Sequence, residues 1–80
     1  MSTTPVAQQV RQIAADIFNL PVEQITDQTS PQTLADWDSV EQLNLVLAME
    51  ARFGVQLDPQ EIEQIRTIGD AIRIAETRVG

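Results

Sequence analysis

From Asp38 to Gly54 the chain carries apolar residues at helical spacing on two faces at once. No other feature restricts the fold as much. At about 100° per residue, Leu45, Val46, Met49 and Phe53 fall on one side of a helix. Val40, Leu43 and Leu47 form a second stripe, rotated from the first by more than about 90°. Asp38 is a good N-cap for a helix over Ser39 to Phe53, and Gly54 supplies a stop. The first face must be covered by other elements. A chain of 80 residues has only a small core and cannot easily bury both. Two arrangements remain open at this level. Either the helix sits centrally and the second stripe packs under a neighbouring loop, or part of the stripe stays exposed as a docking surface. Glu41 and Glu50 flank the second stripe, as a docking face with charge steering would require.

The rest of the chain predicts partners for the first face. Thr4-Pro5 suits a helix start, with threonine as cap and proline at the first helical position. Val6, Val10, Ile13, Ala14 and Ile17 then follow one apolar stripe until Asn19, where Leu20-Pro21 forces the chain out of helix. A long connection rich in Thr, Gln, Asp, Ser and Pro runs to Trp37, with Val22, Ile25 and Leu34 spaced as anchors onto the core. Connections of this length are often functional. Asp58-Pro59-Gln60-Glu61 opens a short third helix with a capping-box pattern. Thr67-Ile68-Gly69-Asp70 opens a fourth, which carries Ile68, Ala71, Ile72 and Ala75 on one face. Alternating strand patterns, internal repeats and low-complexity tracts are absent. The expected fold is all-α: a small four-helix bundle with a long loop between helices 1 and 2 and a short helix 3. It forms a single domain over residues 1–80, with its core at about 5–78 and fraying ends at Met1 to Thr3 and Val79-Gly80.

Composition narrows the function. Twelve acidic residues face five arginines, with no lysine, histidine or cysteine, for a formal net charge of −7. Such a surface repels nucleic acid and favours partners with basic docking patches. Without cysteine there is no disulfide and no thiolate metal site, which fits a reducing compartment. Met1 to Val6 shows no secretory pattern, and no window is apolar enough to span a bilayer. The chain therefore reads as cytoplasmic, with no membrane insertion. The usual general bases and activated nucleophiles are missing, so an enzyme is not expected. Asp36-Trp37-Asp38 begins like a calcium loop, but Glu41 and Leu47 stand where that loop needs glycine and glutamate. No metal site is expected.

Ser39 follows the aspartate cap. A serine at a helix start is ordinary, yet the unpaired N–H groups and partial positive charge there would suit an attached phosphodiester. Its position alone does not choose between these. The stretch Asp36-Trp37-Asp38-Ser39-Val40-Glu41-Gln42-Leu43, continuing through Asn44-Leu45-Val46-Leu47-Ala48-Met49-Glu50-Ala51-Arg52-Phe53-Gly54, resembles the acyl carrier protein family. That family carries a D-S-L motif at the head of its second helix, then an apolar and acidic pattern ending in phenylalanine. The likeness extends to the first helix, the long loop, the short third helix and a fourth helix opened by a Thr-Ile pair.

The resemblance implies that a phosphopantetheinyl transferase joins 4′-phosphopantetheine from coenzyme A to Ser39. The arm's thiol, rather than any cysteine of the chain, would then hold acyl intermediates as thioesters. Asp38 would cap the helix and help engage the transferase. Val40, Glu41, Leu43, Leu47 and Glu50 match partner-facing positions, which favours the exposed arrangement of the second stripe. The implied partners are the transferase, an acyl- or aminoacyl-loading ligase, and synthases or acyltransferases. The carrier itself would be a monomer without catalytic activity, serving fatty-acid-like, polyketide-like or specialised lipid synthesis.

Three departures stand out. Asn44 occupies a place where glutamate is frequent, Ala51-Arg52 replaces an acidic pair, and Trp37 stands where a small residue is usual. They imply a less acidic docking face and a dedicated carrier serving one pathway. Trp37 is expected to pack against the loop as core, the alternative being contact with the arm or a partner. An aminoacyl or peptidyl carrier loaded by an adenylating ligase is the alternative function. The D-S-V motif leans towards acyl, because peptidyl carriers more often show a Gly-Gly pair before the serine. A helical adaptor without prosthetic group is the more remote alternative. Two physical expectations follow. Inward residues including Val46, Ile68 and Ile72 would line a cleft sheltering an acyl chain, each buried methylene contributing about 0.8 kcal/mol. Lower pH or divalent cations would raise thermal stability by relieving self-repulsion.

Overall fold

Helix α1 (Val6–Phe18) packs against both α2 (Ser39–Phe53) and α4 (Ile68–Val79), which meet each other less extensively. The short α3 (Pro59–Glu63) lies between them in sequence. These elements come from a computed structural model that describes residues 5–30, 32, 34 and 37–79. Among the described residues there is no strand, and the architecture is the expected all-α one with a long first loop.

The inward face of α1 is Val10, Ile13, Ala14, Ala15 and Phe18, with Val6 and Ile17 half-buried. Its start differs by one residue from expectation. Pro5 is the cap residue, at φ −57° and ψ 147°, and its carbonyl accepts from the Gln9 N–H at 3.1 Å. Proline's fixed φ suits either position, so the extended ψ decides the matter. Thr4, the expected cap, lies outside the described residues. At the other end Asn19 takes a left-handed conformation (φ 57°), which asparagine tolerates better than most residues.

From α2, Leu45, Val46 and Met49 complete the core, whereas Phe53 is only half-buried at its margin. From α4 come Ile68, Ala71, Ile72, Ile74 and Ala75. The long loop is more ordered than its polar composition suggests. Pro21 leads into a single 3-10 turn over Val22–Gln24, then Ile25 and Trp37 are buried while Val22 and Leu34 are half-buried. This loop is stitched to the start of α4. The Thr29 carbonyl accepts from the Ile68 N–H at 2.9 Å, and the Asp27 carbonyl accepts from the Gly69 N–H at 2.8 Å. Glycine allows this close approach: a Cβ on residue 69 would lie 3.0 Å from the Asp27 oxygen, and the loop would have to give way by a few tenths of an ångström. From the other side, Arg11 pairs with Asp27 at 2.8 Å.

The two ends of the second half are tied as well. Glu61 accepts from the Asp58 N–H at 2.9 Å, the return bond of a capping box. The Arg78 guanidinium, in the last turn of α4, reaches both Glu61 and Asp58. Its hydrogen bond first, and that of the Asp58 N–H second, hold the Glu61 carboxyl below the ordinary carboxylate range.

Candidate functional site at the head of the second helix

Trp37 fixes where α2 begins. It is buried, as its core reading required, and its ring lies 5.5 Å from that of Phe18. Asp38 then turns the chain into helix: its carboxylate accepts from the Glu41 N–H at 3.0 Å, and its carbonyl accepts from the Gln42 N–H at 2.8 Å. Ser39 is the first helical residue and is exposed. The N–H groups of Ser39 and Val40 have no partner among the described residues. The positive end of the helix is therefore open beside the Ser39 hydroxyl.

An open groove of about 710 Å³ runs alongside. Trp37, Asp38, Ser39 and Gln42 form one wall, and Ile65, Arg66 and Thr67 face them. Ser30 and Gln32 of the loop complete it. The Arg66 backbone is pinned, its N–H donating to Asp70 at 3.1 Å, while its guanidinium has no ion-pair partner among the described residues.

Gln42 is the residue that sequence reasoning missed. Its Oε1 accepts from Trp37 Nε1 at 2.6 Å, and its Nε2 donates to the carbonyls of Ile62 at 3.1 Å and Ile65 at 3.2 Å. One signal was available: Gln42 precedes Leu45 and Val46 by three and four residues, so a polar side chain occupies the core face.

The second stripe is not covered by the loop. Val40, Leu43 and Leu47 are 64%, 55% and 53% exposed. Asn44 and Ala51, on the same face, are also exposed, so the strip carries no charge. Both flanking acids are half-buried and engaged. Glu41 accepts from Asn44 Nδ2 at 2.7 Å, and Glu50 accepts from the Leu57 N–H at 2.8 Å. Val46, Ile68 and Ile72, expected to line a cleft, are packed in the core, and none borders the groove beside Ser39.

The family model for the phosphopantetheine attachment site matches residues 8–74. This chain belongs to the acyl carrier protein family. It is 29% identical to the acyl carrier protein of Lactobacillus acidophilus over the whole of both chains (100% and 100%). Against that of Petrotoga mobilis it is 27% identical, covering 99% of this chain and 93% of the relative. The solved acyl carrier protein from Enterococcus faecalis is 30% identical and superposes with a TM-score of 0.73, over 91% of this chain and 92% of that one. Acyl carrier proteins are non-catalytic carriers, and the prosthetic group of this carrier is phosphopantetheine. The site suits such a group: an exposed serine, a helix start with open donors and a groove to one side. Among the described residues no helix is long and apolar enough to cross a membrane.

Proposed function

We propose that this carrier bears acyl groups on a phosphopantetheine arm joined to Ser39 and offers them to biosynthetic enzymes across the exposed face of α2. The supporting observation is the placement of Ser39, exposed as the first residue of a capped helix with two N–H groups open beside it. In the attaching step the Ser39 oxygen attacks the phosphopantetheinyl phosphorus of coenzyme A. Adenosine 3′,5′-bisphosphate leaves, and the hydroxyl proton passes to the transferase. Once bound, the group supplies a terminal thiol on which cargo rides as a thioester.

The chain's own residues prepare this chemistry rather than perform it. Asp38 holds the helix start, so the exposed Ser39 sits on a fixed turn. The open N–H groups of Ser39 and Val40 lend positive potential to the phosphodiester. Val40, Leu43 and Leu47 form the docking strip, with Glu41 and Glu50 at its edges. Its partners are a phosphopantetheinyl transferase, a loading ligase, and synthases or acyltransferases.

The test is intact mass after incubation with coenzyme A and a broad-specificity phosphopantetheinyl transferase, with Ser39→Ala alongside. Wild type is expected to gain one phosphopantetheine and the variant none. No gain from folded wild type would overturn Ser39 as the attachment site.

A further inference from the structure

Gln42 holds a place that a helical core would give to an apolar side chain. Instead of packing inward it bridges α2 to α3 and the turn that follows it, bonding the carbonyls of Ile62 and Ile65, and it holds the indole of Trp37. Val46, one turn along the same face, belongs with Ile68 and Ile72 of α4 to the core, where they are 2%, 0% and 7% exposed. Gln42 also lines the groove beside Ser39, to which Ser30, Gln32, Arg66 and Thr67 contribute polar groups.

Two ways inward from that groove run past described residues. One is blocked by Trp37, packed against Phe18. The other passes between α2 and Ile62–Ile65, where an apolar chain would have to break all of Gln42's bonds. It would leave two backbone carbonyls, an indole N–H and a carboxamide facing hydrocarbon, a loss far larger than that of a bond exchanged with water. A short polar group resting in the groove breaks none of them. Its polar atoms would meet hydroxyls, an amide and the Arg66 guanidinium, which has no ion-pair partner among the described residues.

We infer that this carrier holds short, polar acyl groups in the groove beside Ser39, and that Gln42 bars longer apolar chains from the core. The inference rests on Ser39 bearing the arm. Wild type and Gln42→Leu are loaded from malonyl- and octanoyl-coenzyme A by the transferase, with loading checked by intact mass. Each is compared with its unloaded, arm-bearing form by amide and methyl NMR and by thermal denaturation. Absence of loading would remove the Ser39 reading and this one together, and it is visible in the mass before any comparison. In wild type, malonyl is expected to shift the Thr67 amide and the Arg66 Nε–H. Octanoyl is expected to leave the methyls of Val46, Ile68 and Ile72 unmoved and Tm within about 2 °C, under half a kcal/mol for a domain of this size. In Gln42→Leu, octanoyl is expected to move those methyls and raise Tm by several degrees. Successful loading followed by octanoyl-shifted core methyls and a raised Tm in wild type would overturn the inference while leaving Ser39 in place. So would a malonyl group that leaves the groove resonances unchanged. The wild-type comparison decides the matter even if Gln42→Leu does not fold.

Discussion

The starts of α2 and α4 are made from similar parts and finished in opposite ways. Each has a side-chain oxygen ahead of it: Asp38 accepts from the Glu41 N–H, and Thr67 accepts from the Asp70 N–H at 3.1 Å. At α4 the long loop lays the carbonyls of Thr29 and Asp27 onto the next two donors, Ile68 and Gly69. At α2 the corresponding donors, Ser39 and Val40, are left without partners among the described residues. A capped helix start is thus a neutral signal. The chain lying over it decides whether it becomes structure or a place to attach something.

The largest expected effect breaks the closed start. Gly69→Val puts a side chain against the Asp27 oxygen and should lift the loop from α4, costing about 1–3 kcal/mol, as overpacking does. Urea denaturation measures it, and a loss below about 0.5 kcal/mol, the scatter of neutral surface changes, would mean the loop yields and the closure is soft. The two caps come next. Thr67→Ala and Asp38→Ala should each cost about 1 kcal/mol. Only Asp38→Ala should also slow arm attachment, which separates the open start from the closed one. If both variants accept the arm at the wild-type rate, Asp38 is a cap and nothing more. Ser39→Ala should change stability by less than about 0.5 kcal/mol, because its hydroxyl makes no hydrogen bond among the described residues.

The smallest effect lies away from both helix starts and concerns acid. The carboxyl of Glu61 is held below its ordinary range by Arg78 and the Asp58 N–H, so its ionised form favours the fold. That contribution is complete above the ordinary carboxylate range and is lost as pH falls through the lowered folded value. Relief of repulsion within a chain of net charge −7 has the opposite sign and stabilises as pH falls. Glu61→Gln removes the first and keeps nearly all of the second. The Tm gap between wild type and variant is therefore expected to shrink in acid. A gap that stays constant from neutral to strongly acidic pH would mean that the Glu61–Arg78 clip adds no pH dependence.

Much of α2 was legible because its signals are local. Asp38, Ser39 and Gly54 mark its ends by their own chemistry, and the spacing of Leu45, Val46 and Met49 marks its inner face. The double stripe showed that one face must be surplus. Which way the loop runs, and so whether Val40, Leu43 and Leu47 stay bare, depends on distant contacts. The stitching of the loop to α4 was invisible, since the carbonyls of Asp27 and Thr29 are backbone atoms that any residue would supply. Gln42 escaped because ranking positions by apolarity passes over the polar residue on a core face, although its misfit there was the clue. Pro5 was misplaced by one position because its ring permits both.

The burial of Trp37 has a practical side. It is the chain's single tryptophan, no tyrosine competes with it, and no cysteine or histidine is present to quench it. Its emission therefore arises from one dry spot against Phe18, coupled through the indole N–H to the residue that closes the core. The molecule carries its own optical label: a red shift would report unfolding, and a change in intensity would report Gln42 letting go. Unfolding, and the entry of a chain past a weakened Gln42 bridge, can be followed in a cuvette without attaching a dye.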